Sequence, residues 1–126
     1  ESPEKNLAKF LAVLIEKISN NLGVKTKIIF SSDVEKDYNL NGQEKILDIC
    51  KNLRSSNYVN PINGINLYDK EKFIKEGVEL NFLDSEIVEY KQYKENFIPN
   101  LSIVDIMMFN DKNKMLTMLN NYRLKW

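Results

Sequence analysis

The stretch that decides the fold runs from Asn57 to Phe82, NYVNPINGINLYDKEKFIKEGVELNF. Asn57-Tyr58-Val59 reads as a brief strand running into the loop Asn60-Pro61-Ile62-Asn63-Gly64. Asp69 is placed to cap a short helix over Lys70 to Glu76, and Gly77 closes it. Val78-Glu79-Leu80-Asn81-Phe82 then alternates apolar and polar residues, the period of a half-buried strand, here expected near an edge. Strand, helix, strand is the pattern of parallel strands joined by a helical crossover.

Upstream, Leu7, Phe10, Leu11, Leu14, Ile15, Ile18 and Leu22 recur at three- and four-residue steps and define one apolar face of a helix. Ser2 is its expected N-cap, Pro3 its first helical residue and Gly23 its left-handed stop. Thr26 to Phe30 reads as a strand covered on both faces, because Ile28-Ile29-Phe30 is an unbroken apolar run. A second helix is expected from Gly42 to Leu53. Asn41 and Glu44 have capping-box spacing, and Ile46, Ile49, Cys50 and Leu53 form the buried stripe. Downstream, a loop from Asp84 to Asn100 leads to helices over Ser102 to Phe109 and Lys112 to Tyr122, broken at Asn110-Asp111. The fold class expected is therefore α/β over residues 1–126 as a single domain: a small, mostly parallel three-stranded sheet with helices packed on it, a Rossmann-like half, and a helical C-terminus.

Composition narrows the chemistry. Lys+Arg and Asp+Glu each number 18, so the chain has no net charge and lacks the basic excess that nucleic-acid binding draws on. There is no histidine, which excludes a Ser-His-Asp or Cys-His nucleophile pair and removes the commonest zinc ligand. Cys50 is the only cysteine, so no intramolecular disulfide forms, and its helical neighbours mark it as a small buried hydrophobe. No metal site and no cofactor is expected. No run approaches the roughly 18 apolar residues that cross a bilayer. Acid–base work would fall to Asp, Glu, Lys or Tyr.

In open parallel sheets, ligands bind beyond the carboxyl ends of the strands. That rule selects Ser31-Ser32-Asp33, the Asn60–Gly64 loop and the segment after Phe82. In the Asn60–Gly64 loop, Pro61 fixes its own φ and pushes Asn60 towards extended backbone, while Asn63-Gly64 is a turn dipeptide whose residues tolerate positive φ. Such a loop can offer backbone N–H groups and the Asn60 amide to an anion or a sugar hydroxyl. It can equally be a tight turn whose asparagines satisfy their own backbone. Ser102 and Asp105 have the spacing of a helix N-cap more than that of a nucleophile and acid. Tyr68, Tyr90 and Tyr93 could meet a sugar ring or serve as packing residues with a solvated hydroxyl. Lys70, Lys72 and Lys75 read as a solvated helix face, and Met107, Met108, Met115 and Met118 as core or a helix-pair contact.

Several motifs in order carry a family resemblance: Tyr58-Val-Asn-Pro-Ile-Asn-Gly-Ile-Asn-Leu-Tyr68, Gly77-Val-Glu-Leu-Asn-Phe82, Glu89-Tyr-Lys-Gln92, and Phe97-Ile-Pro-Asn-Leu-Ser-Ile-Val-Asp-Ile-Met-Met-Phe-Asn110. Ser31-Ser32-Asp33, Gly42-Gln43 and Ile49-Cys50-Lys51 add to it. Across nearly the whole chain, the sequence resembles the WbqC-like family. The resemblance implies a bacterial protein of lipopolysaccharide O-antigen or other surface-polysaccharide biosynthesis. It implies residues of interest at Tyr58, Asn60, Gly64, Tyr68, Tyr90, Gln92, Ser102 and Asp105. The chain departs from the family in carrying Asn63-Gly64 where two adjacent glycines are usual. The family's opening strand and Gln-Pro loop have no counterpart here, which implies the C-terminal portion of a longer protein.

Together these readings give an expected ligand set of Asn60, Asn63, Gly64, Ser31, Asp33, Tyr90 and Gln92, with Asp105 and Tyr68 as candidates for proton transfer. The expected role is part of a cytoplasmic transferase that modifies a sugar or nucleotide-sugar. The alternative is a non-catalytic binding or scaffold module of the same pathway. The expected partners are a nucleotide-sugar or sugar intermediate and a pathway enzyme or a second copy, with no nucleic acid and no membrane span.

Overall fold

A computed structural model describes residues 4–126. Five α-helices, α1 (Leu7–Leu22), α2 (Gly42–Asn52), α3 (Lys70–Lys75), α4 (Ile103–Phe109) and α5 (Lys112–Met118), accompany three strands, β1 (Asn57–Pro61), β2 (Glu79–Ser85) and β3 (Tyr122–Lys125). Short 3₁₀ segments cover Ser31–Asp33 and Ile62–Leu67. The protein is thus mixed α/β with a helical C-terminal region. It gathers into two compact units, one formed by the N-terminal stretch to Ile29 with Glu89–Leu119, the other by Phe30–Val88 with Asn120–Trp126.

The second unit holds the sheet, in the order β1-β2-β3. β1 and β2 are parallel, with Tyr58 opposite Leu80 and Asn60 opposite Phe82, and the connection between them carries α3 as the spacing predicts. β3 pairs antiparallel to β2, so the sheet is mixed rather than mostly parallel. This corrects two expectations. β2 is the central strand and not an edge. The third strand is Tyr122–Lys125, where a helix was expected to reach Tyr122, while Thr26 to Phe30 joins no ladder and leaves Ile28, Ile29 and Phe30 36–45% exposed. Without a neighbouring strand, an apolar run has no ladder to enter, and β-propensity alone does not hold it.

Period-two alternation places Leu80 and Phe82 on the buried face of β2, in step with Val78 just before the strand. They meet Phe73 of α3 and Cys50 of α2, with Ile46, Leu47, Tyr58, Ile62, Ile65 and Tyr68 packed around them. Phe73 and Phe82 are fully buried, each contributing roughly 1.5–3 kcal/mol of apolar transfer. Trp126 lies 5.5 Å from the Phe82 ring and pins the end of β3 to this core. On β3, Lys125 pairs with Asp84 at 2.6 Å and Arg123 with Glu86 at 2.7 Å, so both cations face carboxylates on or just beyond β2.

The helix punctuation follows the sequence in most places. Gly23 ends α1 at φ 79°, Asp69 caps α3 through the Glu71 N–H, and Asp111 caps α5 through the Lys114 N–H. Three details differ. Ser2 and Pro3 fall outside the described residues, and α1 starts at Leu7 with Asn6 as its cap. The Asn41 side chain makes no capping bond, and the Glu44 carboxylate pairs with Lys72 of α3 at 2.7 Å. Leu53 ends α2 and is 48% exposed, so the buried stripe of that helix stops at Cys50.

In the first unit α1 and α4 both contact α5, with Leu22 and Met115 buried. The remaining apolar face of α1 is open: Leu7, Leu11, Leu14 and Ile15 are 40–69% exposed. No helix among the described residues is long and apolar enough to cross a membrane.

Candidate functional site

β1 delivers Tyr58 and Asn60 to one face because they are two residues apart, and the Ile62–Leu67 turn brings Tyr68 back over the same face. The three side chains then close a ring of hydrogen bonds. The Asn60 Nδ2 group donates to the Tyr58 hydroxyl at 2.9 Å and to the Tyr68 hydroxyl at 2.7 Å. The two hydroxyls are 3.2 Å apart. Below the hydroxyls, the rings pack on the core: Tyr58 stacks on Phe73 at 5.9 Å, and Tyr68 meets Phe73 edge-on at 5.8 Å. Each tyrosine therefore has an apolar body in the core and a polar tip in the cluster.

Hydrogen counting fixes the polarity of this cluster. Both amide hydrogens go to tyrosine oxygens, and one hydroxyl hydrogen bridges the two oxygens. With the amide turned round, both hydroxyls would donate to its oxygen and nothing would lie between them, so the observed orientation is the one that satisfies all three contacts. One hydroxyl hydrogen and the Asn60 Oδ1 are left over. The cluster thus leaves one donor and one acceptor without a partner inside it. Burial, together with the Tyr68 hydrogen bond, pushes the Tyr58 phenol up to about 12, so it acts as a neutral hydroxyl at ordinary pH.

Gly64 has its place through close approach. Neither Asn63 nor Gly64 adopts positive φ, contrary to the expectation of a left-handed Asn-Gly turn; both lie in the 3₁₀ segment. A Cβ on Gly64 would come within 2.9 Å of the Asn60 Oδ1 and 3.6 Å of the Tyr68 ring. The missing side chain leaves room for the amide oxygen against the Gly64 backbone. Asn63 is exposed and enters none of these bonds.

Ser31 and Asp33 lie in the other 3₁₀ turn, where the Lys36 ammonium donates to the Ser31 carbonyl and the Ser32 hydroxyl to Asp33 at 3.2 Å. No strand among the described residues precedes them, so the strand-end argument that selected them does not apply. Among the described residues no hydrogen bond joins either to the Asn60 cluster.

Tyr90, Gln92, Ser102 and Asp105 belong to the first unit. Ser102 caps α4 through the Val104 N–H at 3.3 Å, the capping role its spacing indicates. Tyr90 is buried and donates to the Asp105 carboxylate at 2.5 Å. That bond, followed by desolvation, raises the Tyr90 phenol above its ordinary value. The Gln92 amide makes two 2.8 Å bonds to the backbone of Ile98, one from Nε2 to the carbonyl and one from the Ile98 N–H to Oε1. These residues pin a segment that has no regular secondary structure. Lys91, Lys94 and Lys114 sit around that segment, and sequence reasoning does not single them out because only the folded loop brings Lys114 of α5 to it.

The described residues hold no group of His, Cys, Asp and Glu able to bind a metal ion. Cys50 is buried, and burial raises its thiol, which suits packing and not nucleophilic attack.

The tyrosine–asparagine cluster thus lies on β1, which pairs parallel to β2 in a mixed α/β unit. The model of the WbqC-like protein family matches residues 1–117, and the chain belongs to that family. Compared with curated proteins and with solved structures, it matches none.

Proposed function

We propose that this chain handles a carbohydrate in bacterial surface-polysaccharide biosynthesis, that of lipopolysaccharide O-antigen included, as part of a transferase that modifies a sugar or nucleotide-sugar. The observation that carries the reading is the donor and acceptor left without a partner inside the Tyr58–Asn60–Tyr68 cluster. A sugar hydroxyl both donates and accepts, and so complements that pair with one group. Tyr68 is the proton-transfer candidate that belongs to this cluster. Asp105 instead accepts the Tyr90 hydroxyl and holds a loop. Asn63, Ser31 and Asp33 are exposed and available to the rest of such a ligand.

The test is a titration with a nucleoside-diphosphate hexose and with free N-acetylhexosamines, followed by ¹H–¹⁵N spectra at residues 57–68. Saturable shifts there, lost in Asn60→Ala and weakened in Tyr68→Phe with folding intact by thermal melting, support the reading. Shifts of the same size in both variants sink it.

A second reading, a binding or scaffold module of the same pathway, is favoured by the open apolar face of α1 at Leu7, Leu11 and Ile15. Under it, Leu7→Ser with Leu11→Ser abolishes association with the partner and leaves sugar binding untouched. A strictly monomeric chain that captures no enzyme of the pathway counts against it.

A further inference from the structure

We infer that the open surface depression lined by the Glu89–Phe97 segment and Lys114 is a nucleotide site, taking a planar base on Tyr93 and a phosphate chain on Lys91, Lys94 and Lys114. The cavity measures about 480 Å³, within the range of small-molecule sites. It is built by an irregular segment held at both ends. Tyr90 is fastened to Asp105 at 2.5 Å, and Gln92 clips the chain to Ile98 with two 2.8 Å bonds. Phe97 closes edge-on against Tyr90, with ring centroids 5.5 Å apart. Ordering an irregular loop costs backbone entropy, so three separate side-chain contacts that fix its shape mean the concavity stands before any ligand arrives.

The lining then names the ligand class. Tyr93 is 94% exposed, a whole aromatic face presented to solvent where a packing residue would be covered. Lys91, Lys94 and Lys114 line the same cavity, and among the described residues none of them lies in a salt bridge. Glu89 and Glu95 also line it, so three ammonium groups against two carboxylates leave one net positive charge. Lysine ammonium groups bind phosphate as point charges, aromatic faces stack on nucleobases, and carboxylates accept ribose hydroxyls. A nucleoside diphosphate combines the three. The small net charge predicts modest affinity that falls as salt rises. The inference does not rest on the carbohydrate reading, which concerns residues 57–68.

The probes are uridine diphosphate, uridine and inorganic pyrophosphate, titrated into the chain and read by ¹H–¹⁵N spectra at residues 89–97 and 114. Uridine diphosphate should shift these signals saturably and bind more tightly than either fragment. Replacing the three exposed lysines together (Lys91→Ala, Lys94→Ala, Lys114→Ala) should weaken it about tenfold, and Tyr93→Ala about fivefold or more. No saturable shift at millimolar uridine diphosphate overturns the inference. Equal binding of uridine removes the phosphate contact, equal binding of pyrophosphate removes the base contact, and either result overturns it too. Because every substituted side chain is exposed, folding is expected to survive, and unchanged Tyr90 and Asp105 signals check that it has.

Discussion

The position of a Gly64 Cβ would lie 2.9 Å from the Asn60 Oδ1, inside the distance at which a side chain and an amide oxygen coexist. Asn60 cannot swing aside freely, because its Nδ2 is tied to two tyrosine hydroxyls. Gly64→Ala should therefore displace the amide, break at least one of those bonds and cost about 1–3 kcal/mol, read as a lowered Tm. In an Asn60→Ala background the same change should be nearly silent. A double-mutant cycle with no coupling would contradict the account of why glycine stands there.

The Tyr58 phenol sets an alkaline limit. Its folded value is raised to about 12 against an ordinary value near 10. A raised folded value means the contribution is complete below the unfolded value and is lost as pH rises through the folded one. Stability should fall between about pH 10 and 12, and phenolate absorbance should include a late-titrating component that Tyr58→Phe removes. Unchanged late absorbance in that variant would show that another tyrosine carries it.

The Tyr90–Asp105 bond should hold the irregular segment onto α4. Tyr90→Phe keeps the ring against Phe97 and deletes only the hydroxyl, and so should lower the Tm. Amide exchange should quicken across Glu89–Ile98 and the first turn of α4. Exchange that stays slow there would show that Gln92 alone suffices.

Cys50 should resist thiol reagents in the native state, since it is 4% exposed and burial raises its thiol. Labelling should follow the rate of opening of the second unit and become rapid in denaturant. Prompt labelling without denaturant would contradict its place beside Phe73 and Leu80.

What could be read from the sequence was mostly local. Asp69, Ser102 and Gly23 punctuate their helices because capping is decided within a few residues. β1 and β2 are legible through the alternation of Val78, Leu80 and Phe82 and the crossover between them. β3 was missed although Tyr122, Leu124 and Trp126 alternate with Arg123 and Lys125. That signal is short, and its meaning depends on Asp84 and Glu86 waiting on and just beyond β2. Thr26 to Phe30 shows the converse, strong propensity with no partner strand. The Asn60 cluster lay in a stretch that was singled out, but the reason for Gly64 was not readable as backbone conformation. It comes from a side chain four residues earlier, which only the fold brings back.

Under the proposed function, the Asn60 cluster holds a sugar hydroxyl between a leftover tyrosine proton and the Asn60 Oδ1. The side-chain ¹H–¹⁵N pair of Asn60 reports on it most directly, followed through a titration with a nucleoside-diphosphate hexose. The account predicts saturable movement of that pair together with the Gly64 amide. A side-chain pair that stays fixed while the ligand saturates signals elsewhere would contradict it.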